Sequence, residues 1–219
     1  MKRLNFIILL LSSILFFSCE KDPDEITVTI NQQGNLKIKV IDNDKKPVSD
    51  ANVYVSYSTD YNLYEGVSDK SGMCDVGKLL QGSYLCYATA EKNGVPYSVS
   101  EIVQIIAGSE KVLEMNPLAN AGALTLYFYS YYNINVGALN VALLPFSLGS
   151  QPSVDQIKSA AYFTGKTDKD GVVKFTEIPA ERRYNVYAYT DEGLVYRVYD
   201  YSYVYAYKNT EQKYTLEVY

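Results

Sequence analysis

The chain contains an internal duplication, and this repeat constrains its fold more than any other feature. Residues 34–40 resemble residues 122–128 at an offset of 88 positions. Residues 68–72 resemble residues 167–171 at an offset of 99 positions, so the second copy has gained 11 residues between these blocks. A repeated pattern of this length predicts that each copy is one structural unit. The predicted boundaries are 26–117 for the first domain, 118–219 for the second domain and 145–166 for the insertion. Residues 154–161 of the insertion are predicted to form one or two helical turns.

Both copies have the pattern of β-strands joined by tight turns. Leu36, Ile38 and Val40 alternate with lysines, as a half-buried strand requires. Turn-forming runs of Asp, Ser and Gly separate such segments, for example at 69–72 and 168–171. Many short strands without a convincing long helix predict an all-β fold of two tandem β-sandwiches.

Three motifs of the first copy occur in a familiar order: Pro47-Val48-x-x-Ala51-x-Val53, Ser68-Asp69-x-x-Gly72 and Gly82-x-Tyr84. This order resembles the carboxypeptidase regulatory-like, or transthyretin-like, β-sandwich. The second copy keeps Thr167-Asp168-x-x-Gly171 but lacks the proline and the glycine before its tyrosine. The resemblance implies an Ig-like sandwich that is common in secreted and outer-membrane proteins, is not an enzyme and has no catalytic residues.

The first 18 residues have the composition of a secretory signal peptide. Lys2 and Arg3 precede an apolar run over 4–17, and Ser18 and Cys19 follow it. The position of the cysteine resembles that in bacterial lipoproteins, especially those of Bacteroidetes, which are cut before a cysteine that is then acylated. This resemblance predicts that lipid on Cys19 anchors the protein in a membrane.

A short acidic tether follows the predicted lipid site. Residues 19–25 read CEKDPDE, which is charged and contains proline, so we expect a solvated spacer. An acidic stretch directly after the acylated cysteine resembles the surface-export signal of Bacteroidetes lipoproteins. We therefore expect an outer-membrane lipoprotein that faces the cell exterior.

The composition excludes several function classes. Loss of Lys2 and Arg3 with residues 1–18 leaves 18 basic and 25 acidic residues, a net charge of −7, which disfavours nucleic acid as a partner. The chain has no histidine, which excludes Ser–His–Asp and Cys–His catalysis and imidazole-based zinc sites. We expect no enzyme activity, no cofactor and no metal centre, although a glycosidase that uses carboxylates alone stays open as an alternative.

Two further motifs have a functional and an ordinary interpretation. Asp168 and Asp170 could belong to a calcium loop, but the remaining ligands are missing and a plain turn is favoured. Lys39, Asn116 and Glu91 loosely fit the isopeptide-bond pattern of pilin-type sandwiches, and ordinary surface residues are favoured instead.

Cys74 and Cys86 are the two thiols left after Cys19 is assigned to lipid. They match Val173 and Val186 of the second copy, so both are expected to point inward. An oxidising compartment permits a disulfide between them, while two buried free thiols are the alternative. The sequence leaves both interpretations open.

The chain has 23 tyrosines, and five of them alternate with other residues near its end. A continuous strand would place all five on one face, which we expect to begin as core. Tyr201 and Tyr205 are then predicted to be buried. Tyr199 and Tyr207 are predicted to be at least partly exposed, and the candidate contact surface consists of Tyr199, Tyr203 and Tyr207.

These observations favour a surface-anchored, non-enzymatic lipoprotein that acts in adhesion, binding or scaffolding at the cell envelope. Its ligand would be a protein or a glycan. One alternative is a glycan-binding accessory of a polysaccharide uptake system, in which tyrosines stack on sugars, although the absence of tryptophan counts against it. The carboxylate-dependent glycosidase is the least favoured alternative.

Overall fold

The computed structural model describes residues 32–58, 61–149, 151–199 and 203–219. The predicted signal peptide 1–18, the lipid site Cys19 and the tether 19–25 lie outside these ranges. The strands of the first copy are β1 (Gln33–Val40), β2 (Asn52–Ser58), β3 (Tyr61–Val67), β4 (Met73–Leu80), β5 (Gly82–Lys92), β6 (Val95–Ile105) and β7 (Glu110–Met115).

The first copy is a sandwich of two sheets. One sheet has the strand order β4-β1-β7 and the other has the order β3-β2-β5-β6. All neighbouring strands are antiparallel except β1 and β7, which pair in parallel. The first and last strands of the copy therefore lie side by side in one sheet.

The predicted alternation along β1 is confirmed. Leu36, Ile38 and Val40 have no exposed surface and form part of the core between the two sheets. Lys37 and Lys39 point outward and make ion pairs with glutamates of β7, at 2.8 and 3.3 Å. The strand thus buries its apolar face and places its charges in water.

The second copy repeats this sandwich after a short 3-10 turn at Pro117–Ala119. Its sheets have the orders β11-β8-β16-β14 and β10-β9-β12-β13, and β15 also pairs with β12. The elements are β8 (Ala121–Tyr129), β9 (Asn140–Leu144), α1 (Val154–Ala160), β10 (Phe163–Lys166), β11 (Val172–Pro179), β12 (Arg182–Tyr189), β13 (Val195–Tyr196), β14 (Val198–Tyr199), β15 (Val204–Ala206) and β16 (Glu211–Val218).

Matched polar contacts hold the same turn in both copies. The buried Ser68 donates its hydroxyl to the carbonyl of Val48 at 2.7 Å and accepts the N–H of Ala51 at 3.0 Å. At the matching position, Thr167 accepts the N–H of Leu139 at 2.8 Å. Buried backbone groups need such partners, which explains why a small hydroxyl residue stands here in each copy.

Each copy has its own hydrophobic core. One cluster is formed by residues of the first copy and another by residues of the second, for example Leu126, Phe175 and Leu216. The predicted boundary between 117 and 118 falls in the 3-10 turn. The whole of Gln32–Tyr219 nevertheless clusters as one compact unit.

Hydrogen bonds join the two copies near that turn. The hydroxyl of Tyr97 donates to the carbonyl of Glu177 at 2.5 Å, and Lys92 forms an ion pair with the Glu177 carboxylate at 3.0 Å. The Arg182 guanidinium donates to the carbonyl of Pro96 at 3.2 Å. We call these contacts the seam.

The predicted insertion is only partly extra structure. Its last residues form β10, which pairs with β9 as β3 pairs with β2 in the first copy. Within the rest, the predicted helical turns are confirmed as α1, whose first turn is fixed by a capping box between Ser153 and Gln156. Ile157 of α1 is fully buried against Ala142 and Leu144, on the face of β9 that looks away from the sandwich core.

Candidate functional site

The second copy departs from the first at the sheet edge beside β12. In the first copy, β6 pairs with β5 without interruption over eleven residues. In the second copy, β13 pairs with one end of β12 and β15 pairs with the other end. Between them the chain crosses to the opposite sheet, where β14 pairs with β16. This detour, together with the insertion, opens a cleft.

We call this opening the β12 cleft, and it has a volume of about 880 Å³. Its walls come from the insertion, from β12 and from the segment around β13 and β14. Volumes of this size are typical of ligand sites, which range from about 300 to 1,000 Å³. The described side chains that line it include Ser147, Arg183, Tyr187, Tyr196, Arg197 and Tyr203.

Tyr187 fixes the insertion to the strand beneath it. Its hydroxyl oxygen accepts the backbone N–H of Leu148 at 2.8 Å and lies 3.4 Å from the hydroxyl of Ser147. The apolar part of Leu148 also packs against the cluster around Ile157 and Tyr189. The wall of the cleft is therefore held by both a hydrogen bond and apolar packing.

Two arginines give the cleft a positive character in a chain of net charge −5. The Arg183 guanidinium lies over the ring of Tyr203, with 4.4 Å from its central carbon to the ring centroid. The backbone of Arg197 exchanges two hydrogen bonds with Tyr219, both at 3.2 Å, which fixes its position on the cleft wall. Among the described residues, no carboxylate forms an ion pair with either arginine and no aspartate or glutamate lines the cleft.

The structure divides the predicted tyrosine surface. Tyr203 is 41% exposed and lines the β12 cleft, whereas Tyr207 is 47% exposed and packs on Tyr205, with ring centroids 4.5 Å apart. The backbone of Tyr199 belongs to β14 in the other sheet, and its side chain lies outside the described residues. Tyr201 also lies outside them. The partial exposure expected for Tyr207 is confirmed.

The predicted continuous tyrosine strand is wrong, and so is the prediction that its tyrosine face begins as core. Val204 and Ala206 fill the core instead, with no exposed surface. The register explains this, because Val204 lies opposite the buried Tyr184 and cross-strand neighbours point to the same face. Tyr205, predicted to be buried, is half-buried on the outer face, and its hydroxyl contacts Glu181 at 3.3 Å.

The two cysteines are buried free thiols, and no disulfide joins them. Cys74 lies on β4 opposite Ile38, while Cys86 lies on β5, in the other sheet, opposite Val55. The hydroxyl of Tyr64 is 3.2 Å from the sulfur of Cys74. Both thiols occupy core positions, as the repeat predicted, and the disulfide interpretation is corrected.

We expect both thiols to react slowly in the folded protein. Burial raises the pKa of Cys86 from 9.0 to about 12, so at pH 8 its reactive thiolate is about a thousandfold scarcer than in the unfolded chain. Burial also raises the pKa of Cys74. In a Cys19→Ser background, labelling with a chromogenic disulfide reagent should be slow in buffer and fast in urea. Rapid labelling of native Cys86 would contradict this expectation. So would a protein mass, measured without reducing agent, that is lower by two hydrogen atoms, because it would indicate a disulfide.

The aspartate turns are structural. The Asp168 carboxylate accepts the N–H groups of Asp170 and Val172, both at 2.9 Å, and Asp69 accepts matching bonds in the first copy. This arrangement is the plain turn that the sequence favoured. Within the described ranges, no group of three or more acidic or cysteine side chains is placed to hold a metal ion.

The isopeptide arrangement is not formed. The Lys39 amine pairs with Glu114, while the side chain of Asn116 donates to Asn43 and accepts the N–H of Ala119, each at 3.0 Å. The lysine and the asparagine are therefore engaged as ordinary polar residues. No helix in the described part of the chain has the length and apolarity needed to cross a membrane.

Comparison with known proteins gives structural likeness only. No protein-family model matches the chain, and no curated protein matches it. A minor pilin of Streptococcus agalactiae is 14% identical, with 84% of this chain and 95% of that chain covered and a TM-score of 0.43. A streptococcal ancillary pilin is also 14% identical, with 87% and 64% covered and a TM-score of 0.39.

The TIE protein of Bacillus anthracis is 17% identical, with 85% of this chain covered and a TM-score of 0.32. The chain spans about a third of that protein's length, 34%. Because all three TM-scores lie below 0.5, the all-β sandwich fold is established here by the strands and sheets of the chain itself.

Proposed function

We propose that this chain is a lipid-anchored, non-enzymatic surface lipoprotein whose second sandwich binds a ligand in the β12 cleft. Adhesion, binding or scaffolding at the cell envelope would be its role. The carboxypeptidase regulatory-like identity of the two sandwiches belongs to the same proposal.

The observation that supports the proposal is the difference between the two copies. The first copy forms a sandwich with an uninterrupted β6, so neither the insertion nor the detour of β14 is needed to build the fold. In the second copy these two additions meet at one place and form a cleft of ligand size. Loops and irregular strands on a rigid scaffold are where binding residues concentrate.

The lining of the cleft favours binding over catalysis. A carboxylate-dependent glycosidase needs two acidic side chains about 5 to 9.5 Å apart. The described lining residues include no acidic side chain, and the charged side chains among them are both arginines. Tyrosines in the same lining favour the alternative of a glycan-binding accessory as a second candidate, since their rings can stack on sugars.

The anchoring part of the proposal predicts a change in location when Cys19 is replaced. In the Cys19→Ser variant the acyl acceptor is lost, so we expect the protein to leave the membrane fraction or to keep its signal peptide. Fractionation and fatty-acid labelling of cells measure this. Cys86→Ala is a matched control, because Cys86 is buried in the first core and should leave anchoring unchanged.

The surface part of the proposal predicts that protease added to intact cells removes the wild-type protein, while a periplasmic marker stays intact. Digestion of this protein only after lysis would contradict an outward-facing location. That result would not contradict the proposed lipid anchor, because the Cys19→Ser variant tests the anchor separately.

A further inference from the structure

We propose that the β12 cleft recognises an anionic glycan, with Arg183 and Arg197 pairing with the acid groups of the sugar chain and tyrosine rings contacting its apolar faces. This inference rests on the binding role proposed above and names the ligand chemistry of that same cleft. A carboxylate on a uronic acid and a sulfate ester present the same chemistry to a guanidinium.

The charge of the cleft favours an anionic ligand. Arg183 and Arg197 are exposed, and within the described chain neither has a carboxylate partner, although acidic residues outnumber basic ones, 25 to 20. The seven ion pairs of the described chain use seven lysines and no arginine. The guanidiniums that line the cleft are thus available to a ligand that carries negative charge.

The side chain of Arg183 is already positioned without a ligand. Its guanidinium lies over the ring of Tyr203, 4.4 Å from the ring centroid, while the backbone of Arg197 is paired with Tyr219 and fixes the point from which that side chain extends. A side chain that is already ordered loses less conformational entropy when it binds. The stacked guanidinium keeps its edge N–H groups for a bidentate contact with a carboxylate or a sulfate.

The cleft combines aromatic and polar surfaces. Tyr196 and Tyr203 contribute aromatic rings, with Arg183 covering one face of the Tyr203 ring, while Ser147 and Gln151 contribute polar groups to the same lining. A sugar ring has an apolar C–H face and a polar hydroxyl edge, which matches this mixture. A simple inorganic anion would use the arginines and leave the aromatic walls unused.

The amount of charge argues for a glycan over a nucleic acid. Two arginines can pair with one or two acid groups, whereas nucleic-acid sites neutralise phosphates along a whole strand with many basic residues. The surrounding protein is acidic and would repel a densely charged polymer. An oligosaccharide with isolated acid groups fits the cleft better.

The test uses the mature chain with Cys19→Ser, so that the whole protein is soluble without lipid. Binding is measured by calorimetry with hexagalacturonate, a heparin-derived hexasaccharide, neutral maltohexaose and a six-base oligothymidylate. We expect one of the two acidic glycans to bind, and the neutral glycan and the oligonucleotide to bind at least about tenfold more weakly. Comparison of the first two probes separates carboxylate from sulfate recognition.

Arg183→Gln and Arg197→Gln should each weaken binding of the acidic glycan by about tenfold or more, because each removes a charge-assisted contact. Both side chains are exposed, so the thermal unfolding temperature should stay the same. Lys169→Gln is the matched control: it removes one positive charge from the same sandwich, at a turn where the side chain is 89% exposed. Its affinity should equal that of the wild type.

Several results would overturn the inference. Absence of binding to both acidic glycans, equal loss in the control variant, or equal affinity for the oligonucleotide would each contradict it. Maltohexaose could bind as tightly as the acidic glycans, with an affinity that is unchanged in both arginine variants. That result would refute the specificity for anionic glycans, while it would support a glycan-binding cleft. Cleavage of a glycan probe would instead overturn the non-enzymatic function itself.

Discussion

Replacement of Gly171 by alanine is expected to destabilise the second sandwich by about 3 kcal/mol or more. Gly171 has a φ of +77°, in the left-handed region that side chains disfavour. A Cβ at this position would lie 2.6 Å from the carbonyl oxygen of Phe128 and 2.8 Å from a methyl carbon of Val136. The backbone oxygen cannot move aside without disturbing β8, because the Phe128 N–H is itself bonded to the Gly171 carbonyl at 2.8 Å.

Gly193→Ala is the matched control for this prediction. Gly193 has a φ of +93° in a turn of the same sandwich, but a Cβ there would meet no atom within 4 Å. This variant therefore reports the backbone strain alone, about 1 kcal/mol. Urea unfolding of both variants, followed by far-ultraviolet circular dichroism, measures the difference. Equal losses in the two variants would show that the close approach of the Phe128 carbonyl has no energetic consequence.

The first copy offers an internal repetition of this experiment. Gly72 has a φ of +75°, and its added Cβ would lie 2.5 Å from the carbonyl oxygen of Val40. The repeated turn therefore places glycine at the same point for the same two reasons. The sequence shows this motif only as a turn that runs from Asp to Gly. In the structure, the glycine of the turn packs directly against a backbone carbonyl of the neighbouring strand.

The sequence predicted those parts of the fold that depend on local patterns and on repetition. The alternation in β1 predicted a half-buried strand, and the match between Cys74 and Val173 predicted that both point inward; both residues are buried. These inferences succeed because side-chain direction in a strand has a period of two, and because the two copies share one architecture. The short helix in the insertion was predictable too, since Ser153 and Gln156 form a capping box.

The tyrosine face could not be predicted in the same way. A period of two shows which residues share a face but not which of the two faces is buried. In the structure, Val204 takes the position opposite Tyr184 that Val103 takes opposite Tyr84 in the first copy. The offset between the copies is therefore 101 here, two positions more than the 99 found at Gly72 and Gly171. A shift of two residues leaves each side chain on the same face, so the error lies in which face was expected to be core.

The β12 cleft lay beyond sequence reasoning because its walls come from three separated segments. Ser147 belongs to the insertion, Arg183 to β12 and Arg197 to the detour between sheets. The sequence pattern does not predict that the chain leaves the edge of one sheet after β13 and pairs with the other sheet at β14. The signal that could have drawn attention to this region was the pair Arg182-Arg183 in an acidic chain, close to the aromatic-rich segment.

Removal of one core side chain is expected to separate the stabilities of the two sandwiches. Leu126 is fully buried in the second core, and Leu126→Ala should cost that core about 2–5 kcal/mol. Ile38→Ala is the corresponding change in the first core, where Ile38 has no exposed surface. Each substitution creates a cavity in one cluster and leaves the other cluster intact.

The two buried thiols make this separation measurable, because Cys74 and Cys86 both belong to the first core. Leu126→Ala should lower the urea midpoint seen by circular dichroism while the thiols stay protected up to the wild-type midpoint. Ile38→Ala should expose the thiols at lower urea. The seam joins the copies through polar contacts such as that of Tyr97 with Glu177, and each contact stabilises the protein by only about 1 kcal/mol. A loss of several kcal/mol in one core is therefore larger than the free energy that couples the unfolding of the two copies. If both variants shift thiol exposure equally, the two sandwiches unfold as one cooperative unit and the predicted boundary near 117 does not separate independent domains.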